Sequence, residues 1–177
     1  MEVALTALMM LDIVGASRAF ALISNAIASL PFSKSMNRTL TQIWSFTALA
    51  LVLIHLMIST LHGQAHQAAM VALNTFGYVY VLVVITLAPL VAAALLFTRK
   101  QRIGALLLAL SMFGSFVFGF WYHFLSSTND NVREVHGPSH SKFLWTAIAL
   151  AVIELAGALV GFRIYRAIVK SEVDGRP

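Results

Sequence analysis

The stretch 76-FGYVYVLVVITLAPLVAAALLF-97 contains no charged side chain from Phe76 to Phe97. An apolar run of about 18 residues or more is long enough to cross the hydrocarbon core of a bilayer as an α-helix. Three further segments qualify or nearly qualify, namely Ile43–Leu61, Ile103–Leu125 and Phe143–Phe162. We call Ile43–Leu61 segment A, Phe76–Phe97 segment B, Ile103–Leu125 segment C and Phe143–Phe162 segment D. The sequence therefore predicts an all-α integral membrane protein.

Composition supports a lipid bilayer as the main partner of the chain. Hydrophobic residues make up 59% of the sequence and charged residues only 11%, whereas a soluble domain carries about 25% charged residues. The formal charge of +5 does not indicate nucleic-acid binding, because the basic residues are confined to short stretches between apolar segments. No nucleic-acid module, phosphate loop or dinucleotide fingerprint is present.

A fifth apolar segment, Val3–Leu30, precedes the other four but is interrupted by Asp12, Arg18 and Asn25. It lacks the basic stretch that opens a signal peptide, so we expect it to remain in the mature protein. We predict that it spans the membrane, with a helix lying in the interface as the alternative.

The basic residues predict the orientation of the chain. Nine of the twelve Lys and Arg residues lie shortly after Val3–Leu30, in or after the end of segment B, or in or after the end of segment D. They are Lys34, Arg38, Arg99, Lys100, Arg102, Arg163, Arg166, Lys170 and Arg176. Because Lys and Arg are retained on the cytoplasmic side, these three stretches are predicted to lie inside a bacterial-type inner or plasma membrane. Five spans then place the N-terminus outside and the C-terminus in the cytoplasm.

The sequence His-Gly-x-x-His occurs twice, as His62–His66 and as His136–His140, each time between two apolar segments. One further histidine precedes each copy, His55 and His123, so the six histidines form two sets of three. The predicted orientation places both copies in outer loops. Together with the alternating basic turns, they suggest two repeats of a hairpin.

We therefore predict one membrane domain over residues 1–177. It comprises an N-terminal helix and inner loop (1–39), two hairpin repeats (40–102 and 103–170) and a cytoplasmic tail (171–177). Two parallel hairpins would pack as a four-helix bundle with an approximate two-fold axis along the membrane normal. Small residues in segments C and D, including Gly104, Gly157 and Gly161, are expected to allow close helix packing. Pro89 is expected to disturb segment B.

The paired motif predicts an outward-facing transition-metal site with His62, His66, His136 and His140 as ligands. His55 and His123 would be deeper ligands of this site or would support its ligands. Imidazole is a common metal ligand, and the absence of cysteine excludes thiolate sites. Nitrogen ligands favour copper, with zinc or iron as alternatives. The nearby carboxylates are Asp130 and Glu134. The soft ligands Met57 and Met70 are more typical of core packing.

Helical geometry refines this prediction. If segment A continues past Gly63, then His55, His62 and His66 lie on one helical face, within about 40° of each other. His136 and His140 share a face only if Pro138 occupies the first turn of the next helix, where proline is tolerated.

An alternative interpretation uses the two apolar-flanked histidines, His55 and His123, as axial ligands of a b-type haem in an electron-transfer or anchor subunit. The aromatic residues Trp121, Tyr122 and Phe124 would line its pocket. His55 and His123 lie at different depths in segments A and C, and this difference weighs against the haem site.

Two more alternatives remain open. A metalloenzyme that uses a metal-bound water would need a carboxylate base, for which Glu134 is the candidate. A structural accessory subunit of a larger complex would need no cofactor. In each case we expect other membrane subunits or further copies of the chain as partners.

Ionisable residues inside apolar segments are usually paired or functional. Asp12, Arg18 and Glu154 are of this kind. An Arg18–Glu154 bridge between two helices is slightly favoured over a role of Glu154 as a proton carrier near the membrane midplane.

Overall fold

A computed structural model describes residues 34–174 of the chain. Over this range every regular element is helical, and the four long helices are α1 (Lys34–Ala68), α2 (Thr75–Leu96), α3 (Gln101–Leu125) and α4 (His140–Asp174). All contacts described below lie in the compact unit that begins at Asn37. The predicted N-terminal helix, Val3–Leu30, lies outside the described residues.

The predicted all-helical architecture is confirmed, and segments A to D each fall within one helix. All four helices are long and apolar enough to cross a bilayer. Each also carries large apolar side chains on its outer surface, for example Phe46 (56% exposed), Leu82 (56%), Leu110 (62%) and Val152 (65%). Exposing so much apolar surface to water is unfavourable, whereas lipid acyl chains would cover it.

Glycines allow the helices to approach closely, as the sequence predicts. A Cβ atom at Gly104 would lie 2.8 Å from the backbone oxygen of Ala92, so it would force α2 and α3 apart. At Gly161 a Cβ would lie 2.6 Å from the backbone nitrogen of Ala109, on α3. Between α3 and α4, Gly157 likewise leaves room for the side chain of Met112.

Pro89 coincides with an irregular helical stretch. The seven residues Val81–Leu87 of α2 form a π-helix, and the N–H of Ala88 donates to the carbonyl of Val83, five residues earlier. Proline removes one N–H and its ring crowds the carbonyl four residues before it, so the wider π turn accommodates the ring without leaving the helix.

Helix α3 also ends in a π-helical turn, Trp121–Leu125, which contains His123. The N–H of Ser126 closes this turn on the carbonyl of Trp121 at 2.8 Å. Short π-helical insertions in α-helices occur frequently at functional sites.

The two copies of His-Gly-x-x-His have different backbone structures. The first lies entirely within α1, which continues past Gly63 to Ala68. The second forms a turn in which Gly137 has φ of 82°, and α4 begins only at His140. Pro138 therefore precedes the helix, and the condition for a shared helical face of His136 and His140 is not met.

The buried apolar side chains form two clusters. The larger one connects α1, α2, α3 and α4 and includes Val52, Leu108, Met112 and Ile164. The smaller one contains Ala65, Val132, Val135, Phe143 and Ala147, and it lies where the α3–α4 loop packs on α1 and α4. The candidate site adjoins this smaller cluster.

Candidate metal centre

Three histidines meet at the end of the bundle that holds the α3–α4 loop. The Nε2 atom of His62 lies 3.0 Å from Nε2 of His123 and 3.2 Å from Nε2 of His66. His62 and His123 are buried, at 6% and 7% exposure, and His66 is half-buried. We refer to His62, His66 and His123 as the histidine triad.

Three helices position the triad. His62 and His66 are one turn apart on α1, so they project from the same face, as predicted. His123 comes from the π-helical end of α3. The ring of Phe143 on α4 packs against all three imidazoles, at centroid distances of 4.9, 4.9 and 5.3 Å. This apolar contact holds the rings together and shields them from water.

The hydrogen bonds of His62 indicate its tautomer. Its Nδ1 lies 2.8 Å from the hydroxyl oxygen of Thr146, which itself donates to the carbonyl of Lys142 at 2.7 Å. Since the hydroxyl proton is used in that bond, the oxygen accepts from His62, and Nδ1 carries the proton. The Nε2 atom of His62 therefore presents its lone pair to the other two histidines.

The other two histidines have the same arrangement. Nδ1 of His66 lies 3.4 Å from the carbonyl oxygen of Val71, and Nδ1 of His123 lies 3.1 Å from the carbonyl oxygen of Asp130. A carbonyl oxygen only accepts, so both Nδ1 atoms donate and both Nε2 atoms carry lone pairs. Metal-binding histidines are commonly oriented by such a bond on the nitrogen that does not bind the metal.

Three converging lone pairs repel one another unless a proton or a metal ion lies between them. Four ligands placed about 2.0–2.1 Å from a tetrahedral ion are separated by roughly 3.3–3.4 Å. The 3.0 and 3.2 Å separations in the triad are close to this spacing. The ligand atoms of the three residues all lie within 4.8 Å of one another, so the triad can hold a metal ion.

Asp130 supplies a negative charge beside the triad. Its Oδ1 atom lies 3.2 Å from Nδ1 of His123 and 3.3 Å from Nε2 of His66. The residue is only 6% exposed, and neither carboxylate oxygen has a hydrogen bond of acceptable geometry. A buried carboxylate without hydrogen bonds is costly, and a bound cation would remove that cost.

The α3–α4 loop brings Asp130 to this position. Two bonds fold the loop back over the end of α3: Val132 N–H donates to the carbonyl of His123 at 2.9 Å, and the Asn131 amide donates to the carbonyl of Ser126 at 2.7 Å. The α3–α4 loop is longer than the α1–α2 connection, and its additional residues include Asp130.

A cavity of about 240 Å³ adjoins the triad. His62, His66, His123 and Asp130 form part of its wall, and side chains of α2 such as Tyr78 and Ile85 form another part. An ion held by the triad would therefore have one open side, toward the cavity. Three protein ligands with an open position are typical of metal sites that exchange ligands.

The remaining predicted ligands lie elsewhere. His136 is exposed in the turn before α4, and His140 is half-buried with its Nδ1 2.7 Å from the carbonyl oxygen of Val135. Within residues 34–174, the group of three or more His, Asp or Glu side chains close enough to share one ion consists of the triad. The structure thus groups His62 and His66 with His123, and does not group them with the second motif.

His55 also has a partner of its own. Its Nε2 lies 3.2 Å from Oε1 of Glu154, and both residues are buried, at 0% and 3% exposure. The Nε2 atoms of His55 and His123 thus have different partners, and the two-histidine haem site stays a prediction. Glu154 is paired with a histidine inside the bundle, and the predicted partner Arg18 lies outside the described residues.

Sequence reasoning did not assign three residues of this site. Thr146 and Phe143 gave no signal, because threonine and phenylalanine are ordinary residues of apolar helices. The sequence marks Asp130 only as a carboxylate near the second His-Gly-x-x-His motif. Its presence in a polar loop immediately after an apolar segment with a histidine was the available signal.

The fold and the site define a helical, membrane-type protein with a buried histidine cluster that can bind a metal ion. No protein-family model, curated protein or solved structure matches the chain.

Proposed function

We propose that this protein is an integral membrane metal-binding protein. The histidine triad holds one transition-metal ion through its three Nε2 atoms, and Asp130 provides a compensating negative charge. The observation that carries the proposal is the convergence of three Nε2 lone pairs while every Nδ1 atom donates to an oxygen. Such a protein serves in metal handling or as a subunit of a membrane redox complex.

Copper is the favoured ion, and zinc is its main competitor. The triad offers only imidazole nitrogen, which suits both ions, and copper(II) binds such ligands most tightly among the divalent first-row metals. Zinc also suits the 3.0 and 3.2 Å separations of the Nε2 atoms of His123 and His66 from that of His62.

Five spans and an outward-facing site remain part of the proposal. The four helices supply four spans, and the apolar segment Val3–Leu30 supplies the fifth. The basic stretches favour a cytoplasmic C-terminus. The hairpin repeat is retained only as an arrangement of helices, since its two histidine motifs differ in backbone structure.

The test is elemental analysis and absorption spectroscopy of protein purified in detergent without chelators and then equilibrated with Cu²⁺ or Zn²⁺. We expect about one ion per chain for the natural protein. His62→Ala, His66→Ala and His123→Ala should each reduce affinity strongly, because only two of the three imidazole ligands of the triad remain.

His136→Ala is the matched comparison, since it removes a histidine of the same motif from an exposed turn. We expect it to bind metal like the natural protein. If the chain takes up neither ion, or if His136→Ala loses the ion while the triad variants keep it, the proposed site is wrong.

A further inference from the structure

The cavity beside the triad extends inward to a second polar group. The cavity is lined by His66, Gln67 and Asp130 and also by Glu154 and Ser59, which lie further from the α3–α4 loop along α4 and α1. Glu154 lies on α4, two turns before Gly161, and the α4 members of the large apolar cluster, Ala158, Val160, Ile164 and Ile168, all follow it. The cavity therefore connects two sets of ligand-type side chains within one apolar bundle.

The inner set contains an imidazole, a carboxylate and a hydroxyl. His55 Nε2 lies 3.2 Å from Glu154 Oε1 and 3.5 Å from the hydroxyl oxygen of Ser59. These separations are again close to those of ligands on one small ion. His55 is completely buried, and its Nδ1 atom has no hydrogen-bond partner. This histidine is therefore held on one side only.

A glycine keeps the space between the two sets free of a side chain. A Cβ atom at Gly119 would lie 3.8 Å from Cδ2 of His123 and 3.9 Å from Oε2 of Glu154. The second carboxylate oxygen of Glu154 thus points to the same place as the edge of a triad imidazole. Along α1, the seven residues from His62 to His55 correspond to about 10 Å.

The charges around the cavity favour a divalent cation. Its described lining contains two carboxylates, Asp130 and Glu154, and neither lysine nor arginine. Ionisable residues within membrane helices frequently mark ion pathways. One divalent ion would balance both carboxylates, whereas two such ions about 10 Å apart would repel each other strongly in this apolar setting.

We propose that His55, Glu154 and Ser59 form a second, inner cation site, and that a divalent ion moves between it and the triad through the cavity. This inference rests on the proposed metal-binding function. Because the two sites share one charge balance, they are occupied alternately, and the natural protein binds about one ion at a time. The inner site holds the ion more weakly, since it offers a single imidazole.

The test removes the outer site and asks whether metal binding persists. The double variant His62→Ala/His66→Ala, equilibrated with Zn²⁺, should retain about one ion per chain at an affinity at least tenfold lower. X-ray absorption should then report one imidazole and additional oxygen ligands. Adding Glu154→Gln should abolish this residual binding, whereas adding Glu172→Gln, at an exposed carboxylate, should not.

The outcomes separate this inference from the function on which it rests. If the natural protein binds Zn²⁺ and the double variant does not, the inner site is wrong and the triad stands. If Glu154→Gln leaves the residual binding unchanged, the inner site is also wrong. If the natural protein binds no metal, both proposals fail. His55→Gln, which retains a polar side chain, provides a second way to remove the inner site should Glu154→Gln not fold.

Discussion

The partner of Nδ1 decides what each histidine of the triad can do. Thr146, the carbonyl of Val71 and the carbonyl of Asp130 each accept from one imidazole. As a result, all three Nε2 atoms are free to bind a cation. His55 differs from these three residues, because its Nδ1 has no hydrogen-bond partner and its Nε2 lies 3.2 Å from Oε1 of Glu154.

At the residue scale we predict that Asp130→Asn weakens metal binding. The substitution keeps the shape of the side chain but removes the negative charge beside His66 and His123. Loss of a group that orients or balances a metal site typically costs about 10–100-fold in affinity. Isothermal titration with Zn²⁺ would measure the change.

Asn129→Asp provides the corresponding control, because Asn129 is an exposed neighbour in the same loop. It adds a carboxylate at the surface and should leave the affinity within about twofold. Equal affinities for Asp130→Asn and the natural protein would show that Asp130 does not contribute to the site.

At the scale of elements, two π-helical stretches determine which side chains face the cavity. A π turn contains one residue more than an α turn, so it changes the face on which the following side chains project. The turn Trp121–Leu125 contains His123. Pro89 explains the other π stretch, on α2.

Close packing of α3 against α4 predicts a clear difference between two glycine substitutions. Gly161→Ala places a Cβ 2.6 Å from the backbone nitrogen of Ala109, so the helices must separate. Overpacking of this kind costs about 1–3 kcal/mol. We expect a lower Tm in thermal unfolding of the detergent-solubilised protein.

Gly63→Ala is the matched substitution on α1, where a Cβ would meet nothing within 4 Å. Alanine is also the better helix former. We expect an unchanged or slightly higher Tm, and a decrease as large as that of Gly161→Ala would contradict the packing argument.

At the scale of the whole molecule, the proposed orientation can be tested directly because the chain has no cysteine. We predict that Ser127→Cys, in the α3–α4 loop, reacts with a membrane-impermeant maleimide in intact cells. Lys100→Cys, in the turn between α2 and α3, should react only after the membrane is permeabilised. Both positions are exposed. Labelling in the opposite order would reverse the proposed orientation.

Local patterns predicted much of the fold. Apolar segments A to D correspond to four helices. In lipid, the backbone N–H and C=O groups of a single apolar segment can all be hydrogen-bonded only within a helix. Helical periodicity also placed His62 and His66 on one face, since this relation depends only on the spacing of four residues.

The sequence by itself thus determined the helical, membrane-type architecture and the placement of His62 and His66 on one helical face. Only the tertiary structure decided that His123 completes the triad, that Asp130 lies beside it, and that His55 pairs with Glu154. The physical reason is that these contacts join residues far apart in the chain. Their geometry depends on how closely α1, α3 and α4 pack, and on a loop fold that no repeated motif reveals.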